Sequence, residues 1–346
     1  MATPGPVISV GLPNCREGKS QPPGSVTVPL LREFAIVAER LGYDGLWPNE
    51  LMQLQEVRSA GAPNSYFDPI VIIGHLAAVT ERIRFVTATI ILPHHHPILL
   101  SRQVATLDAC SGGRVTLGIG LGGVAGSFRQ LRADLGAVNR GAMMDEYLEA
   151  LRLLWERPRA SYAGKYVSFT DAEAYPKPSQ QPLPILMAGG ADGVADRIAR
   201  FGQGWIDSHT LPRQITDVIG RMRAQRAAFG IPAAPLSIAR QFYVSLAPTA
   251  AAARSVVLDS GANVQAGVTD AEERRIIGTP EDVIRVMAPY LSAGVTELCP
   301  IFYGATLAAL IGQLQLFARE VMPTLRAWAP AFPPAHQLAP ASGTMT

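Results

Sequence analysis

Short apolar, β-branched runs alternate with longer stretches of helical periodicity along most of the chain. Val7 to Leu12 has the continuous apolar character of a strand covered on both faces. Val28 to Leu41 follows with apolar residues three and four apart, ended by Gly42. The alternation then repeats. Strands are expected over Tyr43–Trp47, Ile83–Ile90, Arg114–Ile119, Leu183–Met187, Gly204–Ile206, Leu236–Leu246 and Val295–Leu298. Helices are expected over Phe67–Val79, Pro97–Ala109, Ala142–Trp155, Ala191–Phe201, Ile215–Phe229, between Thr279 and Gly294, and over Leu307–Trp328. Thr279-Pro280-Glu281-Asp282 carries its own start signal: a capping hydroxyl, a proline suited to the first turn, and acids at the positive helix end. The span from Tyr162 to Pro178 interrupts the series, and Gly164-Lys165 can turn a short hairpin there.

Strands that alternate with helices imply parallel pairing through crossovers. Eight such units over this length fit a closed (β/α)₈ TIM barrel with insertions better than an open sheet. A single barrel domain is expected over residues 1–328, with residues 329–346, rich in Pro, Ala and Ser, as a flexible tail. In such barrels the chemistry sits where strands end. The residues there are Pro13 and Asn14; Pro48, Asn49 and Glu50; Thr87, Ala88 and Thr89, leading to His94, His95 and His96; Gly120 to Gly123; Ala188 to Gly193; Asp207 to His209; and Ile301 to Tyr303. The set is rich in glycine and poor in acids and bases. The junction Ile185-Leu-Met-Ala188-Gly189-Gly190-Ala191 puts bare backbone amides at a helix N-terminus, where an anion such as a phosphate is favoured; it reads equally as an ordinary tight turn.

Gly118-Ile-Gly120-Leu-Gly122-Gly123 places its glycines at every second residue and lacks the G-x-G-x-x-G spacing, so a Rossmann site is rejected. Alternating glycines at a strand end let a flat ring lie against the backbone, or form a plain loop. Consecutive histidines such as His94–His96 rarely converge on one ion, and no other cluster has ligand spacing, so no metal is expected. One of the three is expected near the ring as a proton carrier, His95 being the choice. His75 sits within a helix and suits packing, while His209 follows a strand and stays a candidate. Gly-x-Ser-x-Gly and Walker-type loops are both missing, which removes the clearest marks of hydrolase and NTPase chemistry. A site with few reactive side chains suits a cofactor that carries the hard chemistry.

Composition narrows the partners. The 346 residues are 48% hydrophobic and 17% charged with a net charge of +2, and no basic stripe marks a nucleic-acid surface. Three scattered cysteines, Cys15, Cys110 and Cys299, point to a reducing compartment. The apolar runs fall well short of a membrane span and no signal peptide opens the chain, so a cytoplasmic, soluble protein is expected.

Several stretches together resemble the bacterial luciferase-like monooxygenase superfamily. They are Glu39-Arg-Leu-Gly-Tyr-Asp-Gly-Leu-Trp47, Tyr66-Phe-Asp-Pro69 with Thr80-Glu-Arg-Ile83, and Ala105-Thr-Leu-Asp-Ala-Cys-Ser-Gly-Gly-Arg-Val-Thr-Leu-Gly-Ile-Gly120. Pro178 to Gly190, Ala199-Arg-Phe-Gly-Gln-Gly-Trp205 and Gly278-Thr-Pro-Glu-Asp-Val283 with Ala293-Gly-Val-Thr-Glu-Leu298 complete the set. The resemblance implies a luciferase-like barrel that uses coenzyme F420, a deazaflavin carrying hydride, or else FMN reduced by a separate reductase. The actinobacterial deazaflavin-dependent members are the better match. By position, Thr87, Ala88 and Thr89 fall on the strand end that cups the ring, often with a non-proline cis peptide. Gly120, Gly122 and Gly123 fall on the next ring-facing loop, and Ala188, Gly189, Gly190 and Ala191 on the phosphate loop. The chain departs from some deazaflavin dehydrogenases: Asn49-Glu50 stands where they carry Asp-His, and Gly123 where the sugar-phosphate branch has glutamate. Both argue against a sugar-phosphate substrate. Glu50, His95 and Asn49 are the expected proton-handling residues. A small organic substrate, a flavin or deazaflavin reductase as supplier of reduced cofactor, and a homodimer are the expected partners; the alternatives are an FMNH₂-dependent monooxygenase and a non-catalytic flavin-binding protein. The substrate pocket is expected from loops around residues 50–66, 121–141 and 250–276.

Overall fold

The computed structural model describes residues 5–52, 65–122, 125–135, 137–231, 235–262 and 275–328. In chain order they form β1 (Val7–Gly11), α1 (Val28–Arg40), β2 (Gly45–Trp47), α2 (Pro69–Ala77), β3 (Arg84–Val86), β4 (Ile90–Ile91), α3 (Pro97–Cys110), β5 (Val115–Gly120), α4 (Ala125–Leu131) and α5 (Arg140–Glu156). A hairpin of β6 (Ala160–Ala163) and β7 (Ser168–Ala172) precedes β8 (Ile185–Ala188), α6 (Ala191–Phe201), β9 (Gly204–Asp207), α7 (Pro212–Ala228) and β10 (Ser237–Leu246). The chain closes with α8 (Ala250–Asp259), β11 (Arg275–Gly278), α9 (Pro280–Ser292), β12 (Glu297–Phe302), α10 (Leu307–Glu320) and α11 (Met322–Arg326).

Eight parallel strands pair in the order β1-β2-β3-β5-β8-β9-β10-β12 and return to β1, so the sheet closes into a barrel. Its inner face places Trp47 among Val86, Leu186, Ile206, Ala239 and Cys299, all within 5% of full burial. The opposite faces of the same strands meet the helices in a continuous apolar shell that includes Ile8, Leu46, Phe85, Leu117, Phe242 and Phe302. Side chains that alternate in and out along each strand produce this two-sided burial. Helix starts follow the local chemistry. Thr27, Asp68, Asn139, Thr249, Thr279 and Thr306 each cap a helix through the side chain. Thr279 with Asp282 makes the full reciprocal box.

Three expectations need correction. The strand expected over Ile83–Ile90 is interrupted: β3 pairs with the first half of β5 and β4 with its last two residues, with Thr87, Ala88 and Thr89 between them. The last helix breaks at Val321, and α11 restarts at Met322 with Pro323, which has no N–H to donate to the preceding turn, in its first turn. The stretch expected as variable loop over 250–276 contains α8 and the start of β11, a strand that extends the edge of β10 beyond β9. The flexible tail expected over 329–346 lies outside the described residues. No helix among the described residues is long and apolar enough to cross a membrane.

Candidate functional site at the barrel mouth

The interruption of β3 and β4 is repaired by a side chain. The Thr87 hydroxyl donates to the Gly118 carbonyl and accepts the Gly118 N–H, both at 2.8 Å, so it takes the place of a ladder rung. Such close approach needs glycine: a Cβ on Gly118 would lie 1.8 Å from the Thr87 carbonyl oxygen. Thr87 is therefore buried and its hydroxyl is committed to β5. The Ala88–Thr89 peptide that follows is cis. Ala88 donates its N–H to the Pro48 carbonyl at 2.7 Å, which ties this strand end to the loop after β2.

That loop holds Asn49 and Glu50. Asn14, just past β1, anchors it: its amide donates to the Asn49 and Phe67 carbonyls at 2.8 Å, and its Oδ1 accepts the Asn49 N–H at 3.1 Å. With Asn49 fixed, the Glu50 carboxylate turns toward the segment after β4, accepting the Ile91 N–H at 2.6 Å. The His95 Nε2 lies 3.0 and 3.1 Å from the two Glu50 oxygens, and the side chains are 19% and 7% exposed. Two residues expected from the sequence to handle protons thus form one hydrogen-bonded pair, reached by solvent at the histidine. The neighbouring histidines diverge. His94 stacks on Phe128, ring centroids 6.2 Å apart, and burial lowers the pKa of its imidazole. His96 turns away to cap α3 through Ile98. Among the described residues no group of His, Cys, Asp and Glu is placed to hold a metal.

Small residues line the neighbouring strand ends. A Cβ on Gly120 would stand 2.9 Å from Thr89 Oγ1 and 3.7 Å from the Ala188 Cβ, so these three residues meet across a narrow wall. Gly122, with φ +71, turns the chain out of β5, and Arg140 fastens this turn by donating to the Leu121 and Gly122 carbonyls. Gly123 lies outside the described residues. At the β8–α6 junction Gly189 and Gly190 are exposed, and nothing stands within 4 Å of where a Gly190 side chain would begin. Gly190 is the N-cap of α6 and supplies no side-chain acceptor, so the amides at Ala191 and beyond open the helix uncapped. The Gly189 carbonyl is held by Trp205 Nε1 at 3.0 Å, which fixes the junction from below.

Several buried polar atoms here have no partner: Asn49 Oδ1, His94 Nδ1, Arg16 Nε, and Gln241 Nε2 on the inner face of β10. Buried polar groups in folded proteins are nearly always satisfied, so these open atoms are ones that a ligand could complete. An uncapped helix start, small strand-end residues and unpaired donors and acceptors together fit a planar cofactor with a phosphate-bearing tail. The sequence had not singled out Arg16, which donates to the Tyr243 hydroxyl at 2.8 Å, or Gln241. Strand-end position alone could have flagged Arg16; Gln241 sits mid-strand, where only the inward face distinguishes it. His209 stands in the turn that Asp207 organises by accepting its N–H.

The family model for luciferase-like monooxygenases matches residues 9–322. A protein of Mycobacterium tuberculosis is 41% identical over 149 residues, 43% of this chain and 51% of that one. The F420-dependent glucose-6-phosphate dehydrogenase of Kineococcus radiotolerans is 30% identical over 184 residues, 51% of each chain. The FMNH₂-dependent dimethylsulfone monooxygenase of Pseudomonas putida is 29% identical over 201 residues, 58% of this chain and 54% of that one. The chain thus spans about half the length of these curated relatives. Among solved structures, the monooxygenase RslO1 of Streptomyces bottropensis superposes with a TM-score of 0.76 over 92% of this chain and 99% of that one, at 21% identity, a likeness of fold.

Proposed function

The chain belongs to the luciferase-like monooxygenase family, and on that premise we propose a coenzyme F420-dependent oxidoreductase that moves hydride between the deazaflavin and a small organic substrate. The observation that carries this reading is the Glu50–His95 pair, set at the strand ends with the uncapped start of α6. When bound, the deazaflavin supplies the hydride chemistry. The amides opening α6 at Gly190 and Ala191 would receive its phosphate. Ala88, Thr89, Gly120 and Ala188 would form the wall against its ring, with Gly122 in the turn beside them. His95 would exchange a proton with a substrate oxygen while Glu50 orients the imidazole and balances its charge. Asn49 would present its unpaired Oδ1 to the same ligand. Hydride transfer to a carbonyl or from an alcohol requires such a proton partner, which is why a His–carboxylate pair favours it. A homodimer would find an apolar face between α2 and α3, where Val71 and Leu99 are 74% and 60% exposed.

A second reading, FMNH₂-dependent monooxygenation with flavin reduced by a separate enzyme, is favoured by the likeness to the dimethylsulfone monooxygenase. Titration with each cofactor by fluorescence quenching, together with oxygen uptake in the presence of FMN and a flavin reductase, separates the two. Tight deazaflavin binding with turnover of alcohols or carbonyls and no oxygen uptake supports the first. Substrate-dependent oxygen uptake with FMN overturns it in favour of the second. Binding without turnover across a broad substrate panel leaves a flavin-binding protein.

A further inference from the structure

On the underside of the barrel, opposite the mouth, a cleft of about 400 Å³ opens between the C-terminal ends of α5 and α6, the segment leading into β8, and the end of α7. Its walls are apolar where they are deepest: Trp155, Leu183, Ile185 and Phe201 are each no more than 9% exposed, and Ile231 lines it from beyond α7. The polar side chains around it are almost all engaged. Gln203 accepts the Ile185 N–H at 2.7 Å, Gln180 is bonded to Asp108 and the Val115 carbonyl, Arg152 pairs with Glu156, and Arg200 pairs with Glu149.

Arg226 differs from these. Its Nε and Nη1 are shut off from solvent and have no hydrogen-bond partner, and among the described residues no carboxylate pairs with it. Burial lowers its pKa and no acid pulls it back, the signature of a charge without a counterpart. A guanidinium stays protonated in proteins, so the cation persists. Shielded donors without acceptors carry a desolvation cost that an incoming acceptor would relieve.

We propose that this cleft is a second ligand site, taking a small amphipathic carboxylate whose head pairs with Arg226 and whose apolar body lies against Trp155, Leu183, Phe201 and Ile231. A single unmatched cation selects a monoanion. The cleft's volume falls within the range of small-molecule pockets. The site is separate from the mouth, so its ligand acts on the enzyme at a distance or is held independently of the reaction.

The test uses the full-length, cofactor-loaded protein and decanoate, with decanol as the uncharged probe of equal length. Decanoate should bind with a change in Trp155 fluorescence that Trp155→Phe removes. Arg226→Met should weaken decanoate about tenfold to a hundredfold, the worth of one charge-assisted bond, and leave decanol unchanged. Arg226→Lys should restore part of the loss, and the melting temperature of Arg226→Met should be no lower than that of the parent. Glu50→Gln at the mouth should not alter decanoate affinity. The proposal is overturned if decanoate fails to bind at millimolar concentration, if Arg226→Met binds it as the parent does, or if decanoate competes with the cofactor.

Discussion

Glu297 should make the barrel less stable as pH rises from about 4.5 to about 7, and Glu297→Gln should abolish that dependence. The carboxylate opens β12 on its inner face, 2% exposed, with Oε1 accepting from the Ser9 hydroxyl at 2.5 Å and from Trp47 Nε1 at 2.9 Å. Burial raises its pKa from 4.5 to about 7; the two hydrogen bonds and Arg84 oppose the shift and Asp44 adds to it. The folded state therefore holds this proton more tightly than the unfolded chain. Below pH 4.5 both states are protonated and the group has no effect on stability. Between 4.5 and about 7 the unfolded chain releases its proton while the folded protein keeps it, so stability falls, and above that interval the loss is complete. At about 1.4 kcal/mol per pH unit the full loss is about 3 kcal/mol. For 346 residues, with an unfolding entropy of roughly 2 cal/mol/K per residue, this amounts to about 4 °C in melting temperature. In Glu297→Gln the amide oxygen still accepts from Ser9 and Trp47, and the new N–H₂ group adds a cost of about 1 kcal/mol that does not vary with pH. The assay is urea unfolding of both proteins from pH 4.5 to 8.5. The difference between them should grow in favour of the variant from the acid end of that range to about pH 7 and level off above it. A difference that stays flat across that range refutes the buried-acid argument.

Three further outcomes follow from the mouth and its walls. Glu50→Gln and His95→Asn should each lower turnover about a hundredfold or more, as expected for loss of a positioned proton carrier, with cofactor affinity changed far less; steady-state kinetics beside a binding titration read both. Gly190→Asp should raise the melting temperature, because the new carboxylate caps α6 and contributes about 1 kcal/mol, while weakening cofactor binding at least tenfold by occupying the amides that phosphate would use. Equal cofactor affinity in that variant would remove α6 from the site. Gly118→Ala should cost the fold several kcal/mol and leave mostly insoluble protein, since its Cβ would stand 1.8 Å from the Thr87 carbonyl oxygen; a soluble variant with an unchanged melting temperature would contradict the close approach.

The eight staves were legible because parallel strands buried on both faces read as apolar, β-branched runs, and each is punctuated by a glycine or a capping residue. Strand ends named Asn49, Glu50 and His95 as neighbours in space although 45 residues separate the last two, since the barrel rule brings all such loops to one rim. The same rule could not say that Thr87 turns its hydroxyl into a missing ladder rung, because nothing in a Thr-Ala-Thr triplet marks a broken stave. Glu297 stood inside a recognised stretch, Thr296-Glu-Leu298, and reads from sequence as an ordinary strand-start acid. Only its inward face, set by the register of β12 against β1 and β10, makes it a buried acid.

Unpaired polar atoms occur at both ends of the barrel: Arg226 and Ser237 keep them near the floor, and four residues keep them toward the mouth. The other polar groups of the floor satisfy one another: Glu297 is held by Ser9 and Trp47, and Arg84 reaches Gln180, which in turn meets Asp108. At its mouth Asn49, His94, Arg16 and Gln241 each keep a buried atom without a partner. A polar group left unpaired in the interior costs about 1–3 kcal/mol, so several in one place are a standing debit against stability. Such a debit persists where something other than protein completes the bonds, and stability and function compete for the same residues. On the proposed reading a ligand would complete the bonds at the mouth, where Glu50 and His95 are already paired with one another.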